Sequence, residues 1–208
     1  MYIPKDFAAS DEQALALIRS QVLGQVTWQD ADGLQATPLP WLIADAEPLR
    51  LQAHLPRVNP LAKSLTAGSM PVLVSFQGPS AYISPNWYPS KAETERMVPT
   101  WNYAFVQVHG RLVLRDDADW VRTQMSALTR QQEAAQARPW QLADAAPGFV
   151  DQLLRVLVGA ELSVERIEAK FKLGQNRAPR DLQGLMDGLE AAGDPASLAL
   201  LALTRRSI

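Results

Sequence analysis

Two loops near mid-chain, Ala81-Tyr82-Ile83-Ser84-Pro85-Asn86-Trp87-Tyr88-Pro89 and Val98-Pro99-Thr100-Trp101-Asn102-Tyr103, bring indole, phenol, hydroxyl and carboxamide groups together within 23 residues. Such a combination suits a pocket for a flat ring. Proline fixes the backbone, the aromatics offer broad faces at low entropic cost, and Ser84, Asn86, Thr100 and Asn102 offer a few oriented hydrogen bonds. The competing reading is that these rings close the end of a β-barrel or sit in a dimer seam, where Trp and Tyr are also common. The alternation of ring, proline and small polar group occurs twice, which a packed core does not require, and this favours a site.

Other chemistries find little support. The sequence has no Gly-x-Gly-x-x-Gly, no phosphate-loop signature, no His-Glu-x-x-His and no Gly-x-Ser-x-Gly. His54 and His109 have no acidic neighbours at metal-ligand spacing, so a buried, hydrogen-bonded structural role is expected for each and no metal site. With no cysteine there is no disulfide framework and no thiolate chemistry, which fits a cytoplasmic address. A net charge of −2 lacks the basic footprint of a protein that lives on nucleic acid. Asp6, Asp11 and Glu12 stand where a signal peptide needs a basic start, and no apolar run approaches a membrane span.

The elements that must position the loops are short and mostly extended. Ser10 and Gln13 form a capping-box pattern ahead of a helix running to about Leu23. Strands are expected over Gln25 to Gln29 and Leu34 to Ile43 around the Asp30-Ala31-Asp32-Gly33 turn, then over Leu49 to His54. Asn59-Pro60 opens a short helix. Strands follow over Pro71 to Gln77 and Ser80 to Ser84, with Gly78-Pro79 as a break. Asn102 to Arg115 is the longest strand, and Asp116 or Asp117 caps a helix from Ala118 to about Ala135. A helix after Pro147, a late strand from Leu162 to Leu173 and helices over the last 30 residues complete the chain. With 47% hydrophobic residues, 208 residues bury one sizeable core. The fold class is therefore mainly β with added helices: an antiparallel barrel that closes the exposed strand edges, and a helical C-terminal region.

These residues carry a family resemblance. Met1-Tyr2-Ile3-Pro4, His54 with Arg57, Asn59 and Pro60, Phe76-Gln77-Gly78-Pro79 running into Tyr82-Ile83-Ser84-Pro85, and Trp87-Tyr88-Pro89-Ser90-Lys91 resemble the PaiB-type FMN-binding negative transcriptional regulators. Val98 to Tyr103, His109-Gly110, Pro139-Trp140, Lys170-Phe171-Lys172-Leu173 and Gln175-Asn176-Arg177 extend the likeness over nearly the whole chain. Two positions depart from the family pattern: Pro56 replaces a small residue, and Gly174 stands where Ser is usual.

The resemblance implies a split β-barrel flavoprotein over residues 1–175 with a C-terminal helical extension over 176–208. It also implies a homodimer with FMN at the subunit interface. Arg57, Asn59 and Lys63 best match what a phosphate tail needs. The ring and ribityl chain would meet Ser84, Asn86, Trp87, Thr100, Trp101 and Asn102. Lys172, Gln175, Asn176 and Arg177 lie in an acid-free basic stretch that also contains Lys170 and Arg180; such a stretch clamps an anion or is simply a solvated face, and the family motif favours the first.

The activity expected is FMN binding with flavin-dependent redox or sensing, as an oxidoreductase if the protein is an enzyme, or as a regulator. The alternative is a cofactor-free interaction or regulatory module acting through a protein partner or DNA, which Pro56 and Gly174 keep open. Direct DNA binding fits poorly, because Arg180 to Ile208 holds three basic against four acidic residues and ends in a leucine-rich helix.

Overall fold

The computed structural model describes residues 1–65 and 68–208. Its strands are β1 (Leu23–Asp30), β2 (Gly33–Pro40), β3 (Leu42–Ala46), β4 (Leu49–Pro56), β5 (Ser69–Ile83), β6 (Thr100–Arg115) and β7 (Leu157–Lys172). The helices are α1 (Asp11–Gln21), α2 (Pro60–Ser64), α3 (Lys91–Thr94), α4 (Ala118–Glu133), α5 (Phe149–Val156), α6 (Pro179–Ala192) and α7 (Pro195–Ser207). Among the described residues the strands form one seven-stranded antiparallel sheet in the order β2-β1-β5-β6-β7-β4-β3. The expected class holds: mainly antiparallel β, added helices, and a helical C-terminal region.

Four details correct the sequence reading. First, the sheet is not closed: β2 and β3 are its two ends rather than neighbours. The edges are protected locally instead, by Pro38 and Pro40 in β2 and by the shortness and the irregular register between Ile43 and Asp45 in β3. Second, Gly78-Pro79 does not break a strand, since β5 runs through it. Gly78 serves close approach, because a Cβ there would stand 2.8 Å from Leu17 Cδ1 and 3.0 Å from Ala104 Cβ. Third, the strand expected over Leu34 to Ile43 divides at buried Trp41, whose backbone N–H donates to Val22 O at 2.8 Å and whose indole N–H donates to Gly24 O at 3.2 Å. Fourth, β7 begins at Leu157 rather than Leu162, directly after α5, where apolar residues on both sides of the boundary conceal it.

The chain divides into two compact units. The second comprises Ile18–Phe76 and Gln107–Ile167. Its β1 pairs with β2 and with β5, and β4 pairs with β3 and with β7, all antiparallel. Leu51, Leu55, Val74, Phe76, Leu112 and Leu162 are fully buried there, each worth about 1.5–3 kcal/mol relative to exposure. Asp117 is the cap of α4, its carboxylate accepting the Asp119 and Trp120 N–H groups. His54 and His109 are half-buried rather than buried as expected, and His54 Nδ1 lies 2.7 Å from Gln124 Oε1. Beside it the buried Glu161 accepts from Arg115 at 2.5 Å and from Gln52 at 2.9 Å. Burial pushes the Glu161 carboxyl up, and these two bonds together with the charges of Arg115 and Arg50 outweigh it to hold the group below its ordinary range.

The first unit comprises Met1–Leu17, Gln77–Val106 and Glu168–Ile208. The expected capping box closes at the start of α1, with Ser10 N donating to Gln13 Oε1 at 2.9 Å and Gln13 N donating to Ser10 Oγ at 3.2 Å. In α6, Pro179 sits in the first turn, and Leu185 and Leu189 are fully buried. Asp194 restarts the chain as α7 by accepting the Ala196 and Ser197 N–H groups. Gly184 and Gly188 make a shallow face on α6 that receives Trp87. A Cβ at 188 would lie 2.2 Å from Trp87 Cδ2, and one at 184 would lie 2.1 Å from the Trp87 carbonyl oxygen. One turn earlier on the same helix, Asp181 accepts from the Ser90 N–H at 3.0 Å and from the Ser90 hydroxyl at 2.7 Å. Both residues are buried.

Two consequences are measurable. Gly188→Ala should destabilise the protein by about 1–3 kcal/mol of overpacking, more than the roughly 1 kcal/mol that alanine gains in a helix, read as a lower denaturant midpoint. A midpoint that rises would show that Trp87 does not occupy this face. The Asp181 carboxyl is held below its ordinary value of 3.8, first by the Ser90 hydroxyl and then by the Ser90 N–H. Its contribution is therefore present above that value and is lost as pH falls through the lowered folded-state value. Ser90→Ala should lower the melting temperature at neutral pH, and the gap to the unmodified protein should narrow on acidification below about pH 4.

Candidate functional site

The acid-free basic stretch and the second aromatic loop meet where β7 ends and β6 begins. The Lys172 ammonium donates to Thr100 Oγ1 and, at 2.9 Å, to the Trp101 carbonyl oxygen. Alternation along β6 then turns Trp101 outward and Asn102 inward: Trp101 is 57% exposed and Asn102 2%. Trp101 meets the edge of Tyr82, itself 48% exposed, with centroids 6.3 Å apart and planes at 74°. The result is an open aromatic face on residues whose neighbours are polar.

The inward side of this corner is unusual. Asn102 Nδ2 is buried and, among the described residues, is the one buried side-chain nitrogen or oxygen atom without a hydrogen-bond partner. Leaving a buried donor unsatisfied costs about 1–3 kcal/mol, so the atom needs an explanation. Gly174 lies beside it, with a Cβ at 174 falling 3.7 Å from Asn102 Nδ2. The φ of +95° at 174 accounts for glycine at a position where the family resemblance expects Ser.

The electrostatics point the same way. Burial lowers the Lys172 ammonium from its ordinary value, and the charges of Lys170 and Arg177 lower it further. A cation desolvated among cations gains from an anionic partner. Lys170 lies over the rings of Tyr2 and Tyr103, at 5.8 Å and 5.6 Å from their centroids. The Arg177 guanidinium lies 4.9 Å from the centroid of buried Tyr88, whose hydroxyl burial pushes up while Arg177 opposes the rise.

The first loop is built around its own turns. Ser84 caps the turn Pro85–Trp87 by accepting the Asn86 N–H at 3.2 Å, and Asn86 accepts from the Lys91 ammonium. Trp87 is committed to the Gly184–Gly188 face. Gln175 folds back on the end of β7, accepting the Leu173 N–H at 2.8 Å and donating to the Phe171 carbonyl. Asn176 is exposed, and the Arg177 N–H closes the turn onto Gly174 O at 2.9 Å.

The residues expected at a phosphate lie in the second unit. Arg57 pairs with Asp116 through both guanidinium nitrogens and also donates from Nε to Arg155 O at 3.2 Å. That bond holds the Asp116 carboxyl below its ordinary range. Asn59 caps α2 by accepting the Leu61 N–H at 2.9 Å, and Lys63 is exposed in its last turn.

Thus Thr100, Trp101, Asn102 and Lys172 form one constellation, and Ser84, Asn86, Trp87, Gln175, Asn176 and Arg177 occupy the turns of the same unit. Sequence reasoning missed the residues that hold the first loop, namely Gly184, Gly188 and Asp181. The glycines four apart on α6 were the available signal, since that spacing puts two gaps on one helix face. Among the described residues no group of His, Cys, Asp and Glu could hold a metal ion, and no helix is long and apolar enough to cross a membrane.

Comparison with known proteins assigns the family. An uncharacterised protein of Emericella nidulans is 30% identical over 180 residues, covering 74% of this chain and 72% of its own. The protease synthase and sporulation protein PAI 2 of Bacillus subtilis is 29% identical over 197 residues, covering 94% and 92%. Among solved structures, the FAD and heme binding protein from Mycobacterium smegmatis shares the fold, with a TM-score of 0.56 at 16% identity over 81% of this chain and 74% of that one. Residues 1–166 match the family model described as "Putative FMN-binding domain", so the chain belongs to that family, the PaiB type foreseen from its motifs.

Proposed function

We propose that this protein binds FMN, with Asn102, Lys172 and Thr100 at the polar edge of the isoalloxazine and Trp101 as an apolar wall. The observation that supports this most directly is the buried, unpartnered Asn102 Nδ2, two residues along β6 from Thr100, which with the Trp101 carbonyl accepts from the desolvated Lys172 ammonium. The donor set suits a flat ring with acceptor oxygens and a tendency toward negative charge. Bound FMN supplies hydride and electron transfer, so no acid–base triad is required of the chain. What these residues contribute is position and charge: Asn102 donates, Lys172 favours an anionic ring edge, and Trp101 shields one face from water.

We further propose a cytoplasmic homodimer with the cofactor at the interface, in which Arg57, Asn59 and Lys63 bind the phosphate. The name of the Bacillus subtilis relative supports a regulatory reading, in which the flavin site acts as a sensor. Regulation through direct DNA contact fits poorly, because Ser197, Leu200, Leu201 and Thr204 bury one face of α7 and Arg205 is paired with Glu190 at 2.9 Å.

Titration of the purified protein with FMN, followed by flavin fluorescence, should saturate at one FMN per protomer, with riboflavin binding far more weakly. The Arg57→Ala, Lys63→Ala double variant should lose at least about tenfold in FMN affinity, since charge-assisted contacts are worth about 1.5–3 kcal/mol each. No saturable FMN binding sinks the proposal; unchanged affinity in the double variant moves the phosphate elsewhere. Asn102→Leu separates ligand binding from folding. It should weaken FMN about tenfold while leaving the FMN-free protein as stable as before or more so, because it removes an unsatisfied buried donor. A large loss of stability in that variant would show that Asn102 holds the fold together instead.

A further inference from the structure

In the second unit, a cleft of about 470 Å³ lies between the C-terminal half of α4 and the turn that follows Pro139. Its lining includes Ser126, Thr129 and Arg130 from α4 and Trp140 and Leu142 from the turn. That volume lies within the range of small-molecule sites. Trp140 is 43% exposed, yet its backbone is fixed, because its N–H donates to Glu133 Oε2 at 3.0 Å. The next residue is fixed as well: the Gln141 N–H donates to Asp144 Oδ2 at 2.8 Å and the Asp144 N–H returns to Gln141 O at 2.9 Å. A preformed turn therefore presents an indole at the cleft at little ordering cost.

The charge in the cleft is just as specific. Arg130 is exposed and lines it, and no ion pair of Arg130 occurs among the described residues. The two carboxylates of the turn and the end of α4, those of Glu133 and Asp144, each accept a backbone N–H of the turn. Ser126 donates its hydroxyl proton back to Arg122 O at 2.9 Å, leaving its oxygen as an acceptor only. The site thus offers a planar donor fork, one aromatic face and the apolar Leu142.

We propose that this cleft binds a small planar aromatic carboxylate, with the carboxylate on Arg130 and the ring against Trp140. The guanidinium fork matches a carboxylate bidentately, and an indole face suits a conjugated ring better than a branched aliphatic chain. This site is independent of the FMN proposal and shares no residue with it.

The test uses the isotopically labelled full chain, with the Trp140 indole N–H resonance assigned by its disappearance in Trp140→Phe. 2-Naphthoate is the probe and 2-naphthamide its neutral control. The expected result is a saturable shift of the Trp140 resonance with the carboxylate, at least about tenfold weaker with the amide and in Arg130→Ala. Arg130 is exposed, so its removal leaves the fold in place. Equal affinity for acid and amide, unchanged affinity in Arg130→Ala, or shifts confined to other tryptophans would each overturn the proposal.

Discussion

The seating of Trp87 on α6 is the constraint from which the geometry of the first unit follows. The ring occupies the space that a side chain would fill at Gly188 and the Trp87 carbonyl oxygen the space at Gly184, while Asp181 takes both donors of Ser90 three residues further along the loop. One contact is steric and the other polar, and both come from a single rigid face. A loop rich in proline and aromatics has stiff segments but no sheet ladder to fix them, so an external template has to set its path. The helix provides that template, and Tyr88 is carried beneath Arg177 as a result.

A second theme is the uneven distribution of charge. Several arginines of this protein have found acids: Arg57 with Asp116, Arg115 with Glu161, Arg122 with Asp151, Arg180 with Glu93 and Arg205 with Glu190. Lys172 has instead a hydroxyl and a carbonyl as partners and two cations as neighbours. Exposed pairs of the first kind contribute little to stability, whereas a partly buried cation without a countercharge has a cost that a ligand can offset. Asn102 shows the same arrangement in neutral form.

Much of this was legible in the sequence because it rests on local rules. The capping box at Ser10 and Gln13, the Asp194-Pro195 restart and the alternation along Asn102 to Arg115 depend on residues a few positions apart. The aromatic loops were visible as a concentration of ring, proline and amide. What could not be read were features decided by distant partners. Gly78-Pro79 looked like a break because a glycine admitting a close neighbour and a glycine ending a strand are identical in sequence. Trp41 interrupts a strand through bonds to Val22 and Gly24, on an earlier part of the chain. Trp87 was placed among the residues that meet the ring and ribityl chain, and the two glycines about a hundred residues later that receive it could not be paired with it from the sequence.

The first unit is assembled from three separate stretches of chain, the last of which begins at Glu168. During synthesis the loop carrying Trp87 and Ser90 leaves the ribosome long before α6 exists, and a nascent chain of some 170 residues holds it without the face that receives Trp87 or the carboxylate that receives Ser90. Its correct path is thus a late event of biosynthesis, and a chain ending before α6 would retain every strand while losing the template for this loop.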